Sequence, residues 1–227
     1  MHVKSGVSGV TEAAADDAVQ PPADAGPPSP RTKAQQSEAT IAALVGAARA
    51  LFAERGYAAV GTEEIVQRAG VTRGALYHHF QGGKEDLFRA VLVQVGAETT
   101  QRVIAVANAA GDPWEELVAG TEAFLDACTR PEVQRIMLID GPSVLGWDIW
   151  REVDGGVALS MMEAALTAAM DAGLMVSQPP KALAHVLMGA IDEAAMVVAR
   201  ADDQQAARDE MTRTVLRLLE GLRGPVI

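Results

Sequence analysis

Thr62-Glu63-Glu64-Ile65-Val66-Gln67-Arg68-Ala69-Gly70-Val71-Thr72-Arg73-Gly74-Ala75-Leu76-Tyr77-His78-His79-Phe80 reads as two short helices joined by a tight turn. Thr62 stands where an N-cap belongs, and Glu63 and Glu64 in the first turn complement the helix dipole. That helix runs to about Ala69. Gly70-Val71 turns the chain, and Thr72 caps a second helix through Phe80. Two short helices joined by a Gly-containing turn of three or four residues form a helix-turn-helix. Packing Ile65, Val66, Val71, Leu76 and Phe80 inward leaves Arg73, Gly74, Tyr77 and His78 on the outer side of the second helix. A recognition helix presents its early residues to base edges in this way. Arg73 has the fork to grip guanine, Tyr77 and His78 have the reach for phosphates or bases, and Gly74 lets the backbone come close.

Before this unit, Ile41, Leu44, Val45, Ala48, Leu51 and Phe52 recur at helical steps from about Ser37, and Gly56 follows Arg55 as a C-cap. After it, Gly82-Gly83 breaks the chain and a long helix runs from Lys84 towards Ala109. Further helices are expected at roughly 113–129, 131–139, 148–172, 180–201 and 204–222, separated by Gly and Pro punctuation, with Gly141-Pro142 to Gly146 as a loop. No repeat and no convincing strand is found, so the fold class is all-α. Residues 1–34, with Pro27-Pro28-Ser29-Pro30, lack the apolar content to order themselves and read as a disordered tail. Arg31 and Lys33 place two positive charges before the first helix, suited to DNA phosphates. The expected division is therefore 1–34 tail, 35–83 helix-turn-helix domain and 84–227 helical domain.

Composition narrows the class. Hydrophobic residues make up 49% of 227 and aromatics 4%, a balance that favours helices around a sizeable core. A single cysteine, Cys128, excludes an internal disulfide framework, and no Cys/His spacing suits zinc. No targeting segment is recognised and the apolar runs Ile41 to Ala48 and Ala182 to Ile191 are short for a bilayer, so a cytoplasmic protein without membrane contact is expected. The net charge of -11 is uneven: residues 31–90 hold eight Lys/Arg against six acids, whereas residues 91–227 hold ten against twenty. Phosphate contact answers to local charge, because screening is severe beyond roughly 8–10 Å. The positive balance lies where the motif lies.

The run from about Thr40 to Val91 resembles the DNA-binding domain of TetR/AcrR-type regulators. The resemblance is carried by Ala47-Ala48-Arg49-Ala50-Leu51-Phe52-Ala53-Glu54-Arg55-Gly56-Tyr57, by Thr62 to Gly70, by Gly74 to Phe80, and by Lys84-Glu85-Asp86-Leu87-Phe88. It implies an all-helical homodimer that binds a palindromic operator in double-stranded DNA and represses transcription until a small-molecule effector binds its C-terminal domain. It implies that Thr62 and Thr72 cap the two helices, with Thr62 near phosphate, that Tyr77 and His78 contact backbone or bases, and that Lys84 meets a phosphate. Two departures stand out: Ile41 occupies a position that is basic in many members, and the Gln81-Gly82-Gly83 link is one residue longer than the commonest form.

In the C-terminal half, Trp114, Phe124, Met137, Trp147, Trp150, Met161 and Met188 offer a soft apolar lining for an effector pocket, and His185 and Asp192 its polar groups. Leu183, Leu187, Ile191, Ala194 and Val198 form one apolar stripe, and Met211, Val215, Leu218 and Leu222 another. Together they are candidates for an intersubunit four-helix bundle, with the intrachain core as the alternative destination. Ligand binding is expected to act through the fourth helix. No nucleophile elbow, phosphate loop or metal spacing supports an enzyme, and no cofactor is expected. A helical protein-interaction module without DNA binding remains the rival reading.

Overall fold

A computed structural model describes residues 32–224. Within them lie ten α-helices and one π-helical segment, with a single isolated bridge, Met175 to Arg223, as the only extended pairing. Helix α1 (Lys33–Arg55) begins four residues earlier than the apolar pattern suggests, because Thr32 and Gln35 close a capping box around its first turn. Lys33 thus belongs to α1 rather than to a tail, and Arg31 lies outside the described residues.

Helices α2 (Thr62–Ala69) and α3 (Arg73–His79) form the helix-turn-helix. Gly70, left-handed at φ 68, ends α2, and its N–H reaches back to the carbonyls of Gln67 and Val66. An L-residue with a Cβ is strained in that conformation, so the turn depends on this glycine. The cap of α2 differs from expectation. Gly61 is the N-cap and Thr62 the first helical residue, so no side chain caps α2.

Helix α4 (Lys84–Ala107) runs from the helix-turn-helix into the larger half and meets α5 (Pro113–Ala127). The core does not break at the expected boundary near residue 83. Phe52, Leu76, Phe80, Leu87, Phe88 and Val91 continue through Leu92 and Val95 into Leu125, Ile136, Met137 and Trp150. The rings of Phe52, Tyr57 and Phe88 meet pairwise at 5.1–5.6 Å and lock α1 to α4.

The chain beyond α5 is more helical than its Gly and Pro residues suggest. Helix α6 (Pro131–Val133) passes into a π segment (Gln134–Asp140), which passes into α7 (Gly141–Leu145). The expected loop at Gly141-Pro142 is therefore helix, with Pro142 in the first turn of α7. Gly141 is there for space: a Cβ would lie 2.8 Å from Trp150 Cδ1 and 3.1 Å from the Ile136 carbonyl oxygen. The absent side chain lets Trp150, 1% exposed, donate its indole N–H to the Met137 carbonyl at 2.8 Å.

Helices α8 (Trp147–Asp171), α9 (Pro180–Arg200) and α10 (Gln204–Glu220) complete the bundle. By length and composition α9 is apolar enough to cross a bilayer, which the short run Ala182 to Ile191 did not suggest. Yet Ala184, Leu187, Ile191, Ala194, Ala195 and Val198 are buried against the rest of the bundle. These buried positions correct the expected pairing stripes. Leu187, Ile191, Ala194 and Val215 serve the chain's own core, Val198 is fully buried within the chain, and Leu183, Met211 and Leu222 pack half-buried against the core. Only Leu218 of those nine is exposed, at 54%. The outward face of α9 instead carries Ala182, Val186 and Val197, with Val186 68% exposed.

Candidate functional site

The outer surface of α3 is assembled from its cap outward. The Thr72 hydroxyl accepts the Ala75 N–H at 3.1 Å and fixes the helix start. Leu76 and Phe80 face the core, so Thr72, Arg73, Gly74, Tyr77 and His78 are left exposed. The Arg73 guanidinium lies 5.6 Å from the Tyr77 ring centroid, and Tyr77, 41% exposed, rests its other edge on Gly83. His78 and the half-buried His79 meet edge to face at 4.9 Å. A short helix therefore presents a guanidinium, a phenol and an imidazole on one accessible side.

Lys84 is placed differently from its expected phosphate role. Its ammonium donates to the carbonyls of Tyr57 (3.0 Å) and Val60 (2.9 Å) and sits 3.9 Å above the Tyr57 ring. Burial lowers its pKa. The side chain points inward and ties the α1–α2 connection to the start of α4.

A charged junction joins the two halves, and sequence reading missed it. Arg49 of α1 makes paired hydrogen bonds to Glu98 of α4 (2.6 and 2.8 Å) and to Glu132 of α6 (2.7 and 2.9 Å). The hydrogen bonds to Glu132 and then Glu98 raise the Arg49 pKa, while the bond from Arg49 lowers that of Glu98. Nearby, Asp140 at the end of the π segment accepts the Tyr57 backbone N–H at 2.7 Å. Glu132 and Asp140 each lie 83 residues from their partners, so local patterns carry no trace of these contacts.

The helical half holds a half-open cavity of about 130 Å³ between α4, α5, the π segment, α8 and α9. Phe124, Met137, Met161 and Met188 line it as expected, joined by Thr99, Thr100, Val103, Leu117, Thr121 and Met162. Ile191, expected at a subunit interface, also lines it. The Thr99 and Thr121 hydroxyls donate to the carbonyls four residues earlier, at 2.8 Å each, which makes the chamber more apolar than its composition. Met188 also lines a second, wider cleft of about 300 Å³ with Trp150, Arg151, Glu152, His185 and Asp192. There Arg151 bonds Asp192 at 3.0 Å, and burial nevertheless pushes the Asp192 carboxyl up to about 6. Two expected lining residues fall elsewhere. Trp114 is buried in a separate cluster beneath Arg223, and Trp147 lies 55% exposed against Trp150. Among the described residues no group of His, Cys, Asp or Glu is arranged to hold a metal ion.

Comparisons with known proteins agree with this architecture. Residues 44–91 match the model of bacterial regulatory proteins of the tetR family, and residues 114–222 match a tetracyclin repressor-like C-terminal domain. The crystal structure of a TetR-family transcriptional regulator from Pectobacterium atrosepticum is 35% identical, with a TM-score of 0.76 over 85% of this chain and 98% of that one. The transposon Tn10 TetC protein of Escherichia coli is 32% identical over 114 residues, 49% of this chain and 55% of that protein. An HTH-type transcriptional repressor of Mycobacterium tuberculosis is 33% identical over 106 residues, 46% of this chain and 54% of its own. The chain spans about half the length of these curated relatives. Family members are regulators rather than enzymes, and with both halves matched in order and a solved relative covered almost end to end, the chain belongs to the TetR family of transcriptional regulators.

Proposed function

We propose that the protein is a homodimeric repressor that holds a palindromic operator through α3 and releases it when a small molecule fills the cavity of the helical half. The observation that carries this reading is the accessible surface of Thr72, Arg73, Gly74, Tyr77 and His78 on a capped helix, in the one segment with positive charge balance. Arg73 reads a base, Tyr77 and His78 hold base edges or backbone, and Thr62 and Lys33 lie on exposed or half-exposed helix starts suited to phosphate. Lys84 supports the domain from within.

Pairing through the outward faces of α9 and α10 fits this reading. Ala182, Val186 and Val197, with Leu218 of α10, are exposed apolar side chains flanking Glu193, and a second copy covers them in a four-helix bundle. A two-fold dimer reads half-sites about one helical turn, roughly 34 Å, or a multiple apart. Coupling has two routes from the cavity. Helix α4 lines it at Thr99, Thr100 and Val103, and the π segment lines it at Met137 and grips the α1–α2 connection through Asp140.

Selection of binding sites from random duplex DNA, followed by mobility shifts of the selected site, tests the reading. It predicts an inverted repeat bound by two chains, with affinity falling steeply with salt. Failure to enrich any sequence would favour a helical interaction module instead.

A further inference from the structure

The cleft between α8 and α9 already contains a cation in a cation's place. The Arg151 guanidinium lies 5.3 Å from the ring centroid of the exposed Trp147 beside the cleft, and Trp147 meets Trp150, which lines the cleft, at 5.0 Å and a tilt of 41°. Arg151 makes one contact to Asp192, Nη1 to Oδ2 at 3.0 Å, rather than the paired contact Arg49 makes to each glutamate. The Asp192 side chain is 10% exposed and that of Arg151 33% exposed. The acid is thus the fixed, buried member and the arginine the outer, loosely held one. Glu152 and His185 are the other titratable groups facing the cleft, and both are exposed. The cleft thus sets two acids, Asp192 and Glu152, against one arginine, beside the face of Trp150.

Resting on the reading of the cavity as an effector site, we propose that Arg151 occupies a binding site for a ligand cation. The effector is an amphiphile whose compact apolar end fills the chamber at Phe124 and Met137 and whose ammonium replaces Arg151 against Asp192 and the tryptophans. Three features support it. Met188 lines both spaces, so a molecule that spans them has one flexible side chain to displace. The chamber, about 130 Å³, is close to the ~150 Å³ cavity that holds one benzene. Displacement is asymmetric as well. The outgoing guanidinium is already one-third in water, while the incoming ammonium keeps the buried Asp192 paired and an aromatic face covered. A carboxylate head would instead add negative charge beside Asp192 and Glu152.

The test is calorimetric titration, near pH 8, of the full chain with 3-phenylpropylamine, 3-phenylpropan-1-ol and 4-phenylbutanoate. The amine is expected to bind about tenfold tighter than the other two. Arg151→Met is expected to tighten the amine by roughly three- to tenfold by removing the competitor, and Asp192→Asn to erase the preference for it. Preference for the carboxylate with its loss in Arg151→Met, equal binding of all three, or no binding of any overturns the proposal. Mobility shifts on the selected operator keep the two readings apart. If the amine binds as described without releasing DNA, the cation site stands and the sensor reading falls. If another class of molecule releases DNA equally well from Asp192→Asn, the sensor reading stands and the cation site falls.

Discussion

Asp140 holds the backbone N–H of Tyr57 at 2.7 Å, and three residues earlier on the same π segment Met137 forms part of the cavity wall. The cavity and the connection between α1 and α2 are thus separated by less than one turn of helix. Tyr57 in turn lies under Lys84, whose ammonium takes the Tyr57 carbonyl, so both backbone polar groups of one residue are held from opposite elements. A charge-assisted hydrogen bond to a backbone N–H is among the stronger ties available to a domain junction. Asp140→Ala removes it without touching the DNA-facing surface. Effector-induced loss of operator affinity, expected in the range of roughly 5–150-fold for the parent protein, should shrink several-fold in the variant. Anisotropy titrations with and without effector measure the ratio, and an unchanged ratio assigns the coupling to α4.

Arg73→Ala and Tyr77→Ala should each weaken operator binding by about 1–3 kcal/mol. Both side chains are exposed, so melting temperatures should stay within a degree or two of the parent. A matching loss of thermal stability would mean that the variants report folding instead of contact.

Lys84→Met should behave in the opposite sense. Two carbonyls lose their donor, and the expected cost is about 1–3 kcal/mol of folding stability. The slope of log affinity against log salt should not change, because no phosphate contact is lost. A shallower slope would restore the phosphate role.

Val186→Glu and Leu187→Glu are neighbours in sequence and opposites in effect. Val186 faces outward, so the first change should leave a folded chain that sediments as a monomer and binds DNA weakly. Leu187 is 4% exposed in the intrachain core, and a charge there should prevent folding. A dimeric Val186→Glu protein would remove this face from the interface.

Asp192 provides a pH signature. Its carboxyl titrates near 6 in the fold against an ordinary 3.8, so the folded chain binds the proton more tightly than the unfolded one. The stability this gives is complete below about pH 4 and is lost as pH rises through 6. Asp192→Asn keeps an acceptor for Arg151 without the buried charge. It should match the parent at pH 4 and exceed it above pH 6.5 by at most about 3 kcal/mol. Denaturant midpoints at the two pH values measure this, and a gain of equal size at both would rule out titration as its source.

The helix-turn-helix was legible because its information is local. Thr72, Gly70, Leu76 and Phe80 lie within eleven residues, and capping, turn chemistry and burial all depend on that spacing. The role of Lys84 was not legible, since its partners are carbonyls, which every residue carries. The α9 stripe shows a further limit. Periodicity identified an apolar face at Leu187, Ile191 and Val198, but an apolar face does not say whose atoms cover it, and the chain's own helices do. The cavity was found through its methionines and Phe124 but not through Thr99 or Thr121, whose polar side chains gave no sign that their donors are already spent on helix carbonyls.

The π winding of Gln134–Asp140 has a mechanical corollary. Its carbonyls reach five residues ahead where flanking α-helix reaches four, so the segment carries slack equal to one residue. Passing that slack along the backbone requires only an exchange of hydrogen-bond partners, and each step re-aims every side chain it crosses. On the proposed reading of the cavity, a guest pressing on Met137 would turn Asp140 through that exchange, with no long lever between them.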